Sequence, residues 1–196
     1  YGTLYSLKEL EELFAACHEH GLKLFVDGAR LAYALTSPAN DVSMADLARL
    51  SDVFYIGGTK CGTLFGEAVV IPDGGSIRQF VTQMKQHGAL LAKGRLLGVQ
   101  FEALFEDGLY STIGQPGVES TRRIREALIR AGYVVTMDSP TNLTFVALDQ
   151  AGHERLSRKV RYGIWETLPD GRLLARFCTS WGTPEEDVKA FEEALA

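Results

Sequence analysis

Residues 22–30, LKLFVDGAR, and residues 53–60, VFYIGGTK, decide the fold of this chain. Each segment begins with an apolar run of strand length and ends in glycine and charged residues. Helical sequence separates the two runs, and this alternation predicts a parallel sheet covered by helices. Open α/β sheets bind ligands beyond the carboxyl ends of their strands, so Asp27 and Lys60 are predicted to lie at one site.

The flanking sequence continues the alternation of helices and strands. A serine and a glutamate three residues later form a capping box that opens a helix over residues 6–21. A helix over residues 43–50 precedes the second strand, and residues 67–71 are predicted to form the next strand. Residues 77–105 have a helical pattern that glycines interrupt.

The pattern changes beyond Gly117, where the segments become shorter. In chain order we predict a helix, two strands, a helix, a strand and a last helix, at residues 118–131, 133–136, 143–148, about 153–162, 173–178 and from 183 onward. This arrangement is typical of a small α+β domain.

Composition excludes several classes of function. The 196 residues, 46% of them hydrophobic, are enough for one or two cores. The net charge of −5 comes from interspersed acids and bases without a basic block, so nucleic acid is not an expected partner. The apolar runs are too short to span a bilayer, and a cytoplasmic location is expected. Cys17, Cys61 and Cys178 are odd in number and far apart, which argues against a disulfide framework and against a metal site.

Four segments carry a resemblance to a known family: YGTLYS at residues 1–6, VDGARL at 26–31, YIGGTK at 55–60 and ARFCTSW at 175–181. Together they resemble the L-threonine aldolases and β-eliminating lyases among the fold-type I pyridoxal phosphate enzymes. DGAR alone occurs in many unrelated proteins. Its conjunction with GGTK after the next strand and an arginine in the final strand is much more specific.

The resemblance implies an α/β fold: part of a mostly parallel, pyridoxal phosphate-transferase-like sheet with flanking helices, plus a small α+β carboxyl-terminal domain. It covers the carboxyl-terminal part of the family's longer chains. We therefore expect residues 1–77 to belong to a large cofactor-binding domain, 78–112 to form a connecting helical region and 113–196 to form the small domain. The family's ring-stacking residue, its glycine-rich phosphate loop and its base for the substrate hydroxyl would lie upstream of Tyr1.

The resemblance also implies roles for four residues near the two strand ends. Lys60 would be the catalytic residue, bonded covalently to the aldehyde of pyridoxal 5′-phosphate. Asp27 would keep the pyridine nitrogen protonated, so that the ring can accept electrons from the substrate Cα. Arg30 would contact the cofactor's phenolic oxygen or the substrate carboxylate, and Thr59 would bind phosphate oxygens.

The residues alone leave simpler readings open for each of these positions. Lys60 on its own reads as a surface lysine beside a loop, and Asp27 as the cap of the helix that follows it. Arg30 would then pair with Asp27, and Thr59 would serve only as a cap.

Arg176 is the candidate for binding the substrate carboxylate. It lies in the predicted strand at residues 173–178, where alternation turns its neighbours to the opposite face. A guanidinium can bind a carboxylate through two parallel hydrogen bonds and so fix the amino acid about Cα. The structural alternative is an edge-strand arginine that faces water.

These roles predict a lyase that cleaves a threonine-like β-hydroxy amino acid to glycine and an aldehyde by retro-aldol chemistry. The expected partner is this small amino-acid substrate. Apolar residues on several faces of the helical region after Ile71 also predict at least a homodimer, and the resemblance implies a homodimer or homotetramer. The alternatives are another fold-type I β-eliminating lyase and an inactive, truncated chain that acts only as an assembly partner.

Overall fold

A computed structural model describes residues 1–196. The chain divides into two compact units. The amino-terminal unit contains Tyr5–Leu35 and Asn40–Ile113, and the carboxyl-terminal unit contains Tyr1–Leu4, Thr36–Ala39 and Gly114–Ala196. None of the helices combines the length and the apolar character needed to cross a membrane.

The first part of the chain alternates helices with the strands of a three-stranded sheet. In order, the elements are α1 (Leu7–Glu19), β1 (Phe25–Val26), α2 (Leu31–Thr36), α3 (Met44–Arg49), β2 (Val53–Gly57), β3 (Glu67–Val70), α4 (Phe80–Gln86), α5 (Arg95–Phe105) and a 3₁₀ segment (Glu106–Ser111). The strand order is β1-β2-β3.

Capping boxes fix the starts of α1 and α3. The Ser6 hydroxyl accepts from the Glu9 amide at 3.3 Å, and the Glu9 carboxylate accepts from the Ser6 amide at 2.8 Å. Ser43 and Asp46 repeat the arrangement at α3, with distances of 3.1 and 3.0 Å. Each pair satisfies two backbone N–H groups that a helix start leaves without a partner. The first of these boxes was predicted from the sequence and is confirmed.

The sheet of this unit is mixed, which corrects the expectation of a mostly parallel sheet for the described strands. β1 and β2 are parallel, with Val26 opposite Phe54, whereas β2 and β3 are antiparallel, with Gly57 opposite Glu67. A parallel connection needs a crossover of about a dozen residues or more, usually a helix. The helices between β1 and β2 supply one. Residues 58–66 connect β2 to β3 without a helix, so β3 returns alongside β2.

Asp52 ties the end of α1 to the starts of β1 and β2. Its carboxylate accepts hydrogen bonds from Lys23 Nζ at 2.9 Å and from the Leu24 amide at 2.8 Å, and it lies 3.0 Å from His18 Nε2. The bond from Lys23, together with those from Leu24 and His18, lowers the pKa of Asp52 to about 2. The charged carboxylate is therefore the form that this fold stabilises.

Asp52→Asn is expected to lower the free energy of unfolding by an amount that depends on pH. Because the pKa of Asp52 is depressed in the folded state, its contribution is present above the ordinary aspartate pKa and is lost as the pH falls toward about 2. The difference in urea midpoint between wild type and variant should shrink between about pH 5 and about pH 2. Asp107→Asn, at an exposed aspartate, is the control. A difference that is constant with pH would contradict the assignment.

The second part of the chain forms an antiparallel sheet with three helices. Its elements are α6 (Gln115–Arg130), β4 (Val134–Val135), β5 (Leu143–Leu148), α7 (Gln150–Ser157), β6 (Gly163–Thr167), β7 (Leu173–Cys178) and α8 (Glu185–Leu195). The strand order is β4-β5-β7-β6, and every pairing is antiparallel.

Two of the predicted strands, β5 and β7, have the predicted bounds, but the helix predicted at about residues 153–162 lies earlier in the chain, at Gln150–Ser157. The Asp149 side chain accepts from the Gly152 amide at 2.7 Å and caps a helix that begins at Gln150. That helix ends at Ser157, and the chain then forms β6, which was not predicted.

The two faces of this sheet have different surroundings. Residues of one face pack with the helices in the larger core, among them Val146, Ala175 and Phe177. Phe145 and Leu174 belong to a smaller buried cluster. Ala175 and Phe177 therefore face the larger core, and alternation along β7 places Arg176 on the opposite face of the sheet, as the sequence predicts.

Candidate functional site

Asp27 and the segment that leads to Lys60 follow the adjacent parallel strands β1 and β2. The carboxyl ends of parallel neighbours meet at one edge of a sheet. The charges of Lys60 and Arg30 both act on the Asp27 carboxylate and help to lower its pKa. Lys60 and Asp27 are both exposed.

One oxygen of the Asp27 carboxylate is bound by the protein and the other is not. Tyr55 donates its hydroxyl proton to Oδ1, and the Ala29 amide donates to the same atom at 3.0 Å. These two bonds, with smaller contributions from Lys60 and Arg30, hold the pKa of Asp27 below its usual value. Asp27 is therefore a carboxylate at neutral pH, with Oδ2 available to a ligand.

Sequence reasoning missed Tyr55 as a member of the site. Burial, followed by its bond to Asp27, raises the pKa of Tyr55 to about 12, so the phenol remains a donor. A correct prediction of how β1 and β2 pair would have indicated this role. Val26 pairs with Phe54, which places the next residues of both strands, Asp27 and Tyr55, side by side.

The two strand ends are in backbone contact at Gly28 and Gly57. The Gly57 amide donates to the Gly28 carbonyl at 3.0 Å. A Cβ added at Gly28 would lie 1.8 Å from the Tyr55 carbonyl oxygen, and one at Gly57 would lie 2.5 Å from the carbonyls of Gly28 and Ala29. No side chain fits at either position without separating the strands.

Two tyrosines hold the backbone on either side of the Lys60 turn. Tyr110 donates its hydroxyl proton to the Gly57 carbonyl at 2.9 Å, and Tyr33 donates to the Lys60 carbonyl at 2.6 Å. Both tyrosines are buried. Neither role could be predicted from the sequence, because each partner is distant along the chain.

Tyr110→Phe is expected to destabilise the protein by about 1–3 kcal/mol, because it leaves the buried Gly57 carbonyl without a donor. Urea unfolding measures the change. Tyr5→Phe, at a tyrosine that is 65% exposed, should change the free energy of unfolding by less than about 0.5 kcal/mol. An equally small effect at Tyr110 would show that the carbonyl has another partner.

Thr59 and Gly58 donate to a carboxylate that sequence reasoning did not include. The Thr59 hydroxyl donates to Glu67 Oε1 at 2.6 Å, and the Gly58 amide donates to Glu67 Oε2. Glu67 reaches them because it lies opposite Gly57 on the antiparallel strand β3. No acceptor in the structure takes the backbone N–H of Thr59 or Lys60, so these two donors remain for a ligand.

Arg30 is half-buried, and its Nε is buried without a hydrogen-bond partner. No hydrogen bond or ion pair joins it to Asp27, the pairing that the sequence left open. A buried donor without an acceptor costs about 1–3 kcal/mol. An acceptor atom of a bound ligand would remove that cost.

Arg176 belongs to the carboxyl-terminal unit and lies on an interior strand, not on an edge. β7 pairs with β5 on one side and β6 on the other, and Arg176 is opposite Phe145 and Gly163. No carboxylate of this unit forms an ion pair with it. A cavity of about 390 Å³ includes Arg161 and Arg176 in its lining, but much of that lining comes from residues of the helix-covered face, among them Ile124, Phe177, Val188 and Phe191.

The donor set of the amino-terminal unit suits an organic group more than a metal ion. It offers an amine, a carboxylate with one free oxygen, a free guanidinium Nε and two free backbone N–H groups. A group with a protonated ring nitrogen and an anionic substituent can use all of them. No cluster of three or more His, Cys, Asp or Glu side chains could hold a metal ion.

Relatives of known name resemble nearly the whole chain. The low specificity L-threonine aldolase of Pseudomonas aeruginosa is 30% identical over 193 residues, which cover 96% of this chain and 54% of the relative. The solved structure of Leishmania major threonine aldolase superposes with a TM-score of 0.92 at 43% identity, covering 99% of this chain and 57% of that one. The chain thus spans roughly half the length of these relatives.

A more distant solved structure shares the fold. It is a putative aromatic amino acid β-eliminating lyase/threonine aldolase from Exiguobacterium, with a TM-score of 0.66 at 17% identity, covering 98% of this chain and 57% of that one. The family model of the beta-eliminating lyases matches residues 1–161. That match covers most of the chain and both strand-end motifs, and it confirms the resemblance stated above: the chain belongs to the beta-eliminating lyase family.

Proposed function

We propose that the protein is a pyridoxal 5′-phosphate-dependent lyase that cleaves a threonine-like β-hydroxy amino acid to glycine and an aldehyde by retro-aldol chemistry. The observation that carries the proposal is the Asp27 carboxylate, held charged with Oδ2 free, beside Lys60 at adjacent strand ends. The names of the two most similar relatives described above, both threonine aldolases, support the same reaction.

Four residues would hold the cofactor, which when bound supplies an electron-accepting ring to the reaction. Lys60 would hold it through its amine. Asp27 Oδ2 would accept from the ring N–H and keep that proton in place. Arg30 Nε would donate to a ring oxygen or to the substrate carboxylate and so satisfy its own buried donor. The amides of Thr59 and Lys60 would donate to phosphate oxygens, and the Thr59 hydroxyl, which now donates to Glu67, is a further candidate donor.

Arg176 would bind the carboxylate of the amino acid. A guanidinium without an ion pair in its own unit can donate two parallel hydrogen bonds to that group. Such a grip fixes the rotation about the substrate Cα, and therefore the bond that is broken.

A β-elimination is the second candidate. The matched family is named for this reaction, and both reactions would use Lys60 and Asp27 in the same roles. The products distinguish the two reactions. Full-length protein loaded with cofactor and supplied with threonine should release glycine and acetaldehyde in equal amounts. Release of ammonia and a keto acid instead would establish the elimination. If cofactor binds and no amino acid is consumed, the enzymatic proposal is wrong.

The proposal also covers the oligomeric state, the domain organisation and the location of the protein. We propose a homodimer or homotetramer, because the amino-terminal unit exposes apolar side chains: Leu64 is 88% exposed, and Leu91, Leu96 and Val99 are more than half exposed. We further propose that residues 1–77 form the end of a large cofactor-binding domain, 78–112 the connecting helical region and 113–196 the small domain. The three free cysteines support a reducing, cytoplasmic location.

A further inference from the structure

We propose that Trp165 is a positioning residue for Arg176: its indole ring holds the guanidinium in the orientation that receives the substrate carboxylate. This inference rests on the proposed function, because it assumes that Arg176 binds that carboxylate.

The first observation is the stacking of the two side chains. The guanidinium carbon of Arg176 lies 4.7 Å from the centroid of the Trp165 ring. This distance is within the range of a cation–π contact, and tryptophan is the strongest such partner. Because no carboxylate of the unit pairs with Arg176, the ring is the contact that orients its charged end.

The second observation is a β-bulge at Trp165. Ile164 pairs with Ala175 and Glu166 pairs with Leu174, so the residue between them has no partner on β7. A bulge re-aims the side chain of its extra residue and often lies next to a functional site. The indole of this unpaired residue lies on the face of the sheet that carries Arg176.

The third observation is that Trp165 is anchored although it is 49% exposed. Its ring packs edge to face against Phe145 at 6.1 Å and against Tyr1 at 6.2 Å. Phe145 is only 1% exposed and lies directly opposite Arg176 in the sheet. The neighbouring carboxylate, Glu166, accepts from the Tyr1 hydroxyl at 2.7 Å through one of its two oxygens.

These contacts have a consequence for binding. A guanidinium held over an aromatic ring uses none of its N–H groups in a hydrogen bond to that ring, so they stay free for a bidentate carboxylate. The stack also restricts a side chain with many rotamers before the substrate arrives, so less conformational freedom is lost on binding. Trp165 should therefore affect the binding of carboxylate ligands and leave the chemical step unchanged.

The test uses full-length, cofactor-loaded protein and two ligands: glycine, and 2-aminoethanol, which keeps the amine and lacks the carboxylate. Trp165→Ala should raise the dissociation constant of glycine and the KM of threonine about threefold to tenfold. The kcat and the affinity for 2-aminoethanol should not change. Trp165→Phe should restore most of the loss and Trp165→Leu should not, since leucine fills space without a π face. Ile164→Ala, at a neighbouring residue that is 45% exposed, is the matched control.

A double-mutant cycle separates this inference from the proposed function. In an Arg176→Ala background, Trp165→Ala should have no further effect on glycine binding. Full additivity, equal losses for both ligands, or full activity of Trp165→Leu would overturn the positioning role. If Arg176→Ala alone leaves glycine binding unchanged, the role of Arg176 in the proposed function is wrong, and this inference fails with it.

Discussion

Lys60→Ala in the full-length protein is expected to abolish covalent attachment of the cofactor and to lower turnover by about a thousandfold or more. The reason is that no second amine of the site can replace Lys60. Arg30 is the other cation near Asp27, and a guanidinium remains protonated and does not attack an aldehyde. A thousandfold loss corresponds to about 4 kcal/mol in activation free energy.

Two measurements check this expectation. The absorbance of the bound cofactor reports attachment, and the intact mass after borohydride reduction shows whether a covalent adduct forms. Lys60→Arg should lose attachment as well, because it keeps the charge and lacks the nucleophilic amine. Lys8→Ala, at an exposed lysine paired only with Glu12 on α1, is the control and should change neither reading. A reducible adduct in Lys60→Ala would remove this residue from its proposed role.

Arg176→Ala has the second-largest expected effect, and it should fall on the substrate. Losing a bidentate contact to a charged group costs about 2–5 kcal/mol, which is a loss of about 30-fold to about 5,000-fold in substrate affinity. Cofactor attachment should be unchanged, because the residues proposed to hold the cofactor all lie in the amino-terminal unit.

Substrate titration and cofactor absorbance, measured on the same sample, separate the two effects. Arg172→Ala is a suitable control, since Arg172 precedes β7 and already pairs with Asp170 at 2.7 Å. Unchanged affinity in the Arg176 variant would assign the carboxylate to another group, and the cofactor-contacting alternative for Arg30 would then need to be reconsidered.

The meeting of Asp27 and Lys60 could be predicted from sequence because it follows from a rule about connections. Helices between two apolar runs imply parallel neighbours, and parallel neighbours end at one edge. The direction of β3 could not be predicted in this way. Its apolar pattern is the same for either direction, and the short connection at residues 58–66 decides it.

β6 escaped prediction for a different reason. All five of its residues are exposed, so the strand lacks the alternation of buried and exposed residues by which strands are recognised. Neither this strand nor the bulge at Trp165 was therefore predicted.

The contacts around the Lys60 turn could not be predicted because their partners are distant along the chain. Tyr110 is 53 positions away from the Gly57 carbonyl that it binds, and Tyr33 is 27 positions away from Lys60. The sequence shows that a tyrosine can donate a hydrogen bond, but the packing of the folded chain determines which carbonyl accepts it. Tyr55 was the exception, since the pairing of β1 with β2 would have placed it beside Asp27.

The backbone contact between Gly28 and Gly57 has a consequence for how the protein tolerates sequence change. The separation between the two strand ends is set by main-chain atoms, through the bond from the Gly57 amide to the Gly28 carbonyl. Substitutions in the surrounding core alter side chains and leave this bond in place. The free energy of unfolding can therefore change through many substitutions while the spacing of the two strand ends stays constant, provided that both glycines are retained.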